Sequence, residues 1–169
     1  MNRPTENQLG GFLVASVGYA TASGFRLALA PLRLHPREFA VLRALGSDDG
    51  ASQQDLSRSL HVPGSRMVAL IDALAQRGLL RRDPHPTDRR KHALRLTEDG
   101  HALLTQAHAA ARGYDTALFA TFAAAERAEL DRLLLKLTAT LELPLGTHPE
   151  MSAPTEGSGA DPEAEDGSA

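Results

Sequence analysis

The chain has 169 residues, no cysteine, and 18 basic against 21 acidic side chains, a formal net charge of −3. That length suits one domain with an appendage. The missing thiols exclude disulfides, zinc–thiolate sites and thiol redox sensing, and the charge balance taken whole argues against a nucleic-acid partner.

The first helix is expected over residues 5–30, where Leu9, Phe12, Leu13, Val17, Ala20, Phe25, Leu27 and Ala28 follow a helical stripe. Gly10, Gly11, Gly18 and Gly24 each lower its helicity by up to ~1 kcal/mol relative to alanine, so it needs a packing partner. Pro31 ends it. A second helix opens at Pro36 and closes at Gly46 as its C-cap, with Phe39, Leu42 and Leu45 on one face. A third begins at Ser52, whose spacing to Asp55 is that of a capping box. His61–Gly64 breaks it. A fourth runs from about Pro63–Ser65 to Gly78, with Val68, Ile71, Leu74 and Ala75 as the apolar face and Gly64, Ser65, Arg66, Ala69 and Ala73 on another side.

Two short strands follow, Leu79–Arg82 and His92–Leu96, joined by the loop DPHPTDRRK. In the second, Leu94 and Leu96 alternate with Ala93 and Arg95. Thr97 is a good N-cap for a long helix reaching about Phe122, with a bend at Gly113. A last helix carries Leu130, Leu133, Leu134, Leu137 and Leu141. Residues 143–169 hold four prolines, four glycines and few large apolar side chains, the composition of a disordered tail. The expected fold is mainly α with a small β-hairpin wing: a winged helix-turn-helix inside a helical dimerisation frame.

This order changes the meaning of the charge. Residues 58–95 carry nine basic and three acidic groups, net +6, whereas residues 142–169 carry seven acids and no basic group. A helix that starts with small residues fits a DNA major groove. A loop bearing Arg89, Arg90 and Lys91 reaches the neighbouring backbone or minor groove.

Several segments, in order and spacing, carry a resemblance. They are LHPREFAVLRAL, SQQDLSRSLHVPGSRMVALIDALAQRGLL, and RRDPHPTDRRKHALRLTEDG with its Asp88-x-Arg90 and its Leu96, Thr97 and Gly100. Together they resemble the MarR family of bacterial transcriptional regulators across residues 9–141. The resemblance implies a MarR-like domain over 5–141, with dimerisation helices at 5–33 and 98–141 and the winged helix-turn-helix at 36–97. It implies a homodimer on pseudo-palindromic double-stranded DNA. Terminal helices with leucine stripes and too little partner surface in so short a chain point to a dimer independently. The Val62-Pro63-Gly64 start of the recognition helix departs from the Ser/Thr-rich pattern of many relatives, and Pro63 has no N–H for phosphate.

The expected DNA contacts are Gln53, Gln54, Arg58, Ser65, Arg66, Arg89, Arg90 and Lys91. Arg66 is placed to read guanine. Asp88 and Arg95 support the wing, Asp88 by orienting Arg90, and Arg81 and Arg82 support it or steer DNA. The resemblance also implies a pocket for a small aromatic or phenolic effector. Phe12, Arg26, His35 and Phe39 are its candidates, against the alternative that they pack the core. His101 and His108 share a helix face, but no HxxxH or HxH pair occurs, so neither a metal site nor another cofactor is expected.

The function expected is a DNA-binding regulator, a dimeric repressor released by a small molecule. The alternative is a winged-helix protein–protein interaction module using the acidic tail. No phosphate loop, G-x-S-x-G or H-E-x-x-H motif indicates an enzyme. No stretch approaches the roughly 20 apolar residues of a membrane helix, the nearest being residues 10–25. With no signal-peptide design at the N-terminus, a cytoplasmic location is expected.

Overall fold

The computed structural model describes residues 9–84 and 92–143. The elements are α1 (Leu9–Leu29), a 3-10 turn (Ala30–Leu32), α2 (Pro36–Ser47), α3 (Gln53–Ser59), α4 (Gly64–Gln76), β1 (Leu80–Pro84), β2 (His92–Leu96), α5 (Glu98–Leu118) and α6 (Ala124–Thr140). The fold is mainly helical with one antiparallel hairpin, in register from Leu80 opposite Leu96 to Pro84 opposite His92. The expected tail and the wing-tip loop lie outside the described residues.

Local chemistry sets the helix starts. Pro36 occupies the first turn of α2, and the Glu38 carboxylate accepts the His35 N–H at 2.8 Å. At α3 the capping box forms as expected. The Ser52 hydroxyl accepts the Asp55 N–H at 3.3 Å, and the Asp55 carboxylate accepts the Ser52 N–H at 3.1 Å. The Ser52 hydroxyl and N–H hold the Asp55 carboxyl below its ordinary 3.8, assisted by the Arg58 guanidinium and opposed by partial desolvation. The tight turn into α4 is fixed from within. Ser57 Oγ donates to the Val62 carbonyl at 2.5 Å, Val62 N–H donates to the Ser57 carbonyl at 3.0 Å, and His61 between them is left-handed.

The core lies between α2, α3, α4, the hairpin and the first half of α5. Leu42, Leu45, Leu56, Met67, Ile71, Leu74 and Leu94 are fully buried. Each such side chain contributes about 1.5–3 kcal/mol of transfer free energy. Helix α1 buries only Leu29, and α6 buries nothing. The apolar side chains Phe12, Leu13, Val17, Leu133, Leu134 and Leu141 therefore face outward. By length and composition, Leu9–Leu32 is long and apolar enough to cross a membrane, contrary to the sequence expectation.

Several boundaries and faces differ from expectation for identifiable reasons. Gly46 does not cap α2, which runs on to Ser47. A Cβ on Gly46 would lie 2.6 Å from Leu104 Cδ2, so its lack of a side chain lets α2 and α5 close together. In α4 the inward residue is Met67, and Val68 points to solvent. Strand β1 is shifted toward Pro84. Ala93 and Leu94 are both buried, and the outer edge of β2 is paired: Gly50 N–H donates to the Leu94 carbonyl, and Leu94 N–H to the Ala51 carbonyl, each at 3.0 Å. Helix α5 passes unbroken through Gly113 and ends at Leu118. Beyond it Phe119 packs edge-on against Phe122 and lies 3.5 Å below the Arg127 guanidinium.

The wing closes onto α5 through one compact junction. Thr97 N–H donates to the Leu79 carbonyl at 3.1 Å, and the Thr97 hydroxyl donates to the Gly78 carbonyl at 2.6 Å. The same hydroxyl accepts the Gly100 N–H at 3.1 Å. A Cβ on Gly100 would fall onto the Leu79 carbonyl oxygen.

Gly100→Ala is expected to lower unfolding free energy by about 1–3 kcal/mol through this overlap, read by urea titration; a cost within ~0.5 kcal/mol would show that the junction relaxes. Asp55→Asn is expected to destabilise the chain at neutral pH. The Asp55 pKa is depressed on folding, so its contribution is present above 3.8 and fades as pH falls through the folded value. Urea midpoints of variant and wild type should therefore converge in acid and separate toward neutral pH.

Candidate nucleic-acid interface

The helix-turn-helix presents one continuous surface. Between α3 and the start of α4 runs an open groove of about 530 Å³, lined by Gln53, Gln54, Ser57, Arg58 and Gly64. Three expected DNA contacts, Gln53, Gln54 and Arg58, thus meet at one place. Arg58 is exposed and pairs with Asp55, and its Nε donates to the Gln54 carbonyl at 3.4 Å. Ser65 is exposed on the first turn of α4, and Arg66 beside it is half-buried.

Beside this surface stands the root of the wing. Arg95 pairs with Asp49, in the loop before α3, and lies 3.4 Å from Asp83 of β1. Arg81 pairs with Asp83 at 3.0 Å, and Arg82 with Asp72 of α4. Arg77, at the C-terminal end of α4, pairs with Glu38 of α2 at 3.0 Å. Five cations of the basic block therefore hold carboxylates that tie the unit together. The acids Glu38, Asp49 and Asp55 come from outside the block; Asp55 is three residues from Arg58 in the same helix, but no local pattern announces the pairs Arg77–Glu38 and Arg95–Asp49. Asp88, Arg89, Arg90 and Lys91 lie outside the described residues.

The four residues expected to receive an effector are dispersed. Phe12 is 72% exposed and Arg26 is exposed on α1, while His35 caps α2, its Nδ1 accepting the Arg37 N–H at 3.4 Å. Phe39 is buried against Phe25, at 6.0 Å between ring centroids, and His108, at 5.4 Å. None of the four lines the cleft between α1 and α5. That cleft measures about 360 Å³ and is lined by Gly18, Thr21, Ala22, Phe25, Ala111, Tyr114 and Asp115. Tyr114 spans its floor, donating its hydroxyl to the Thr21 carbonyl at 2.9 Å. Sequence reasoning missed Tyr114 because it stands 93 positions from its partner. Among the described residues no group of three His, Asp or Glu side chains could hold a metal ion.

The model of the MarR family matches residues 34–91, from the entry to α2 to just before β2. The HTH-type transcriptional repressor Rv2887 of Mycobacterium tuberculosis is 32% identical over 127 residues, 75% of this chain and 91% of that protein. The chain belongs to the MarR family. A putative transcriptional regulatory protein for the hcr operon of Thauera aromatica is 32% identical over 102 residues, 60% of this chain and 61% of that protein. Among solved structures, a MarR mutant from E. coli complexed with operator DNA is 25% identical with a TM-score of 0.68, over 81% of this chain and 99% of that one. Rv2887 in complex with salicylic acid is 31% identical with a TM-score of 0.60, over 76% of this chain and 95% of that one. These MarR-family relatives give the fold of two helical flanks around a winged unit its functional class, transcriptional regulation.

Arg95→Met removes both carboxylate ties of the wing root. The pairs are partly exposed, so unfolding free energy is expected to fall by less than ~1 kcal/mol, measured by urea titration. A loss above ~2 kcal/mol would mean that Arg95 acts as part of the core.

Proposed function

We propose that this MarR-family regulator acts as a homodimeric repressor of pseudo-palindromic operators and leaves DNA when a small aromatic ligand binds. The observation that carries the dimer is the division of burial. The 36–97 segment holds most of the core, whereas α6 buries none of its residues and α1 only one. An apolar surface of that extent on both terminal helices is covered by a second copy through a two-fold axis. Residues 5–33 and 98–141 then form the dimer frame, and 36–97 forms each DNA-reading unit.

In this reading Gln53, Gln54 and Arg58 meet phosphates at one edge of the major groove. Ser65 and Arg66 enter it, and Arg89, Arg90 and Lys91 extend from the wing to the adjacent backbone. Arg95, with Asp88, supports that wing. The ligand class is supported by the relative captured with salicylic acid. It is also supported by the aromatic chain Tyr114–Phe25–Phe39–His108, which links α1, α2 and α5. Phe39 is the expected effector residue that belongs to this chain. A ligand there would favour a dimer whose recognition helices no longer match the half-site spacing, and DNA affinity falls by that coupling. The role is non-catalytic and cytoplasmic.

The purified protein is expected to sediment at twice the 18.0 kDa chain mass and to shift a duplex from the promoter beside its own gene. Replacing Arg89, Arg90 and Lys91 together by alanine should flatten the log Kd against log salt slope by about 0.9 for each lost phosphate contact. No shift at moderate salt, or an unchanged slope, would refute the respective assignment.

A further inference from the structure

Helix α4 turns Met67, Ile71 and Leu74 into the core. Its opposite side carries Ser65, Val68, Ala69 and Gln76 in solvent. Val68 is 38% exposed, although a valine within a helix is ordinarily placed on the buried stripe. Its position on the helix is specific. One turn before it is Gly64, at the edge of the groove lined by Gln53, Gln54 and Arg58. One turn after it is Asp72, paired to Arg82 at the wing root. Val68 therefore stands midway along the strip that joins the α3 groove to the wing, with Ala69 beside it. Neither side chain can donate or accept a hydrogen bond. In the major groove the thymine C5-methyl is the apolar group presented by the base edges.

We propose that Val68, flanked by Ala69, reads a thymine methyl group in each operator half-site, so that specificity at that position comes from apolar contact rather than a bidentate hydrogen bond. The assignment rests on α4 being the DNA-reading helix. The small side chains suit it, since they let the helix seat closely enough for methyl–methyl contact. It also deepens the role of this helix, for Ser65 and Arg66 then define one end of the footprint and Val68 its middle.

The test uses the full-length protein and the duplex that it selects from random DNA. Thymines of one half-site are replaced singly by deoxyuridine, which removes only the methyl, and Kd is measured at fixed salt. At the contacted position the wild type should bind about fourfold more weakly, the effect of one buried methyl-sized group. Val68→Ala, a surface change whose folding is checked by circular dichroism and thermal melting, should bind the thymine and deoxyuridine duplexes alike. Val68→Thr, which retains one methyl at similar size, should keep part of the discrimination. Equal wild-type binding to every substituted duplex would overturn the methyl contact while leaving the regulator assignment intact. A full penalty persisting in Val68→Ala would overturn Val68 as its reader. Failure to select any preferred duplex would overturn DNA readout itself and this contact with it.

Discussion

The meeting of the wing root with the first turn of α5 governs the rest of the architecture. The Leu79 carbonyl receives the Thr97 N–H at 3.1 Å, and Gly100 leaves room for the same oxygen where a Cβ would collide with it. A single threonine hydroxyl then bonds both the end of the turn after α4 and the start of α5. Because one junction holds both, the end of α4 is tied to the start of a long helix that runs out of the winged unit.

Charge in this unit serves structure before it serves binding. Counted along the chain, residues 58–95 hold an excess of six positive groups. Counted in space, Glu38, Asp49 and Asp55 join that block by pairing with Arg77, Arg95 and Arg58, which halves the excess to three. Pairs of this exposure contribute little to stability individually, but they set orientation. Arg95 joins the loop before α3 to β1, and Arg77 joins the end of α4 to α2. The longest run of consecutive cations along the chain is Arg89-Arg90-Lys91, which lies outside the described residues. The net −3 of the whole chain conceals this, because the acids of residues 142–169 are remote from it in sequence.

Much was legible without coordinates where the determining contact is local. The Ser52–Asp55 box, Pro36 at a helix start and Thr97 as an N-cap each act over three or four residues, and each formed as read. The MarR-family resemblance was legible for a related reason: its motifs are the short segments that must make these local turns. Misreadings fell where the decision belonged to a distant neighbour. Gly46 looked like a helix end and is instead the place where Leu104 approaches. Ala93 looked outward by alternation and is buried, as is Leu94 beside it.

The order of the main elements, the N-caps at Ser52 and Thr97, the turn between α3 and α4 and the family were determined by the sequence alone, since backbone hydrogen bonding and apolar periodicity act within a few residues. Tertiary structure decided which side of each helix is used. Met67 and Val68 are neighbours of similar hydrophobicity, and periodicity could not choose between them; the packing of α4 against α2 and the hairpin put Met67 inside and left Val68 facing out. Likewise only the packed fold shows that Phe39 is held by Phe25 and His108 while α6 leaves none of its leucines fully buried in its own chain. A residue's hydrophobicity is its own property, but its burial is set by the surfaces that arrive from elsewhere in the chain or from a second copy.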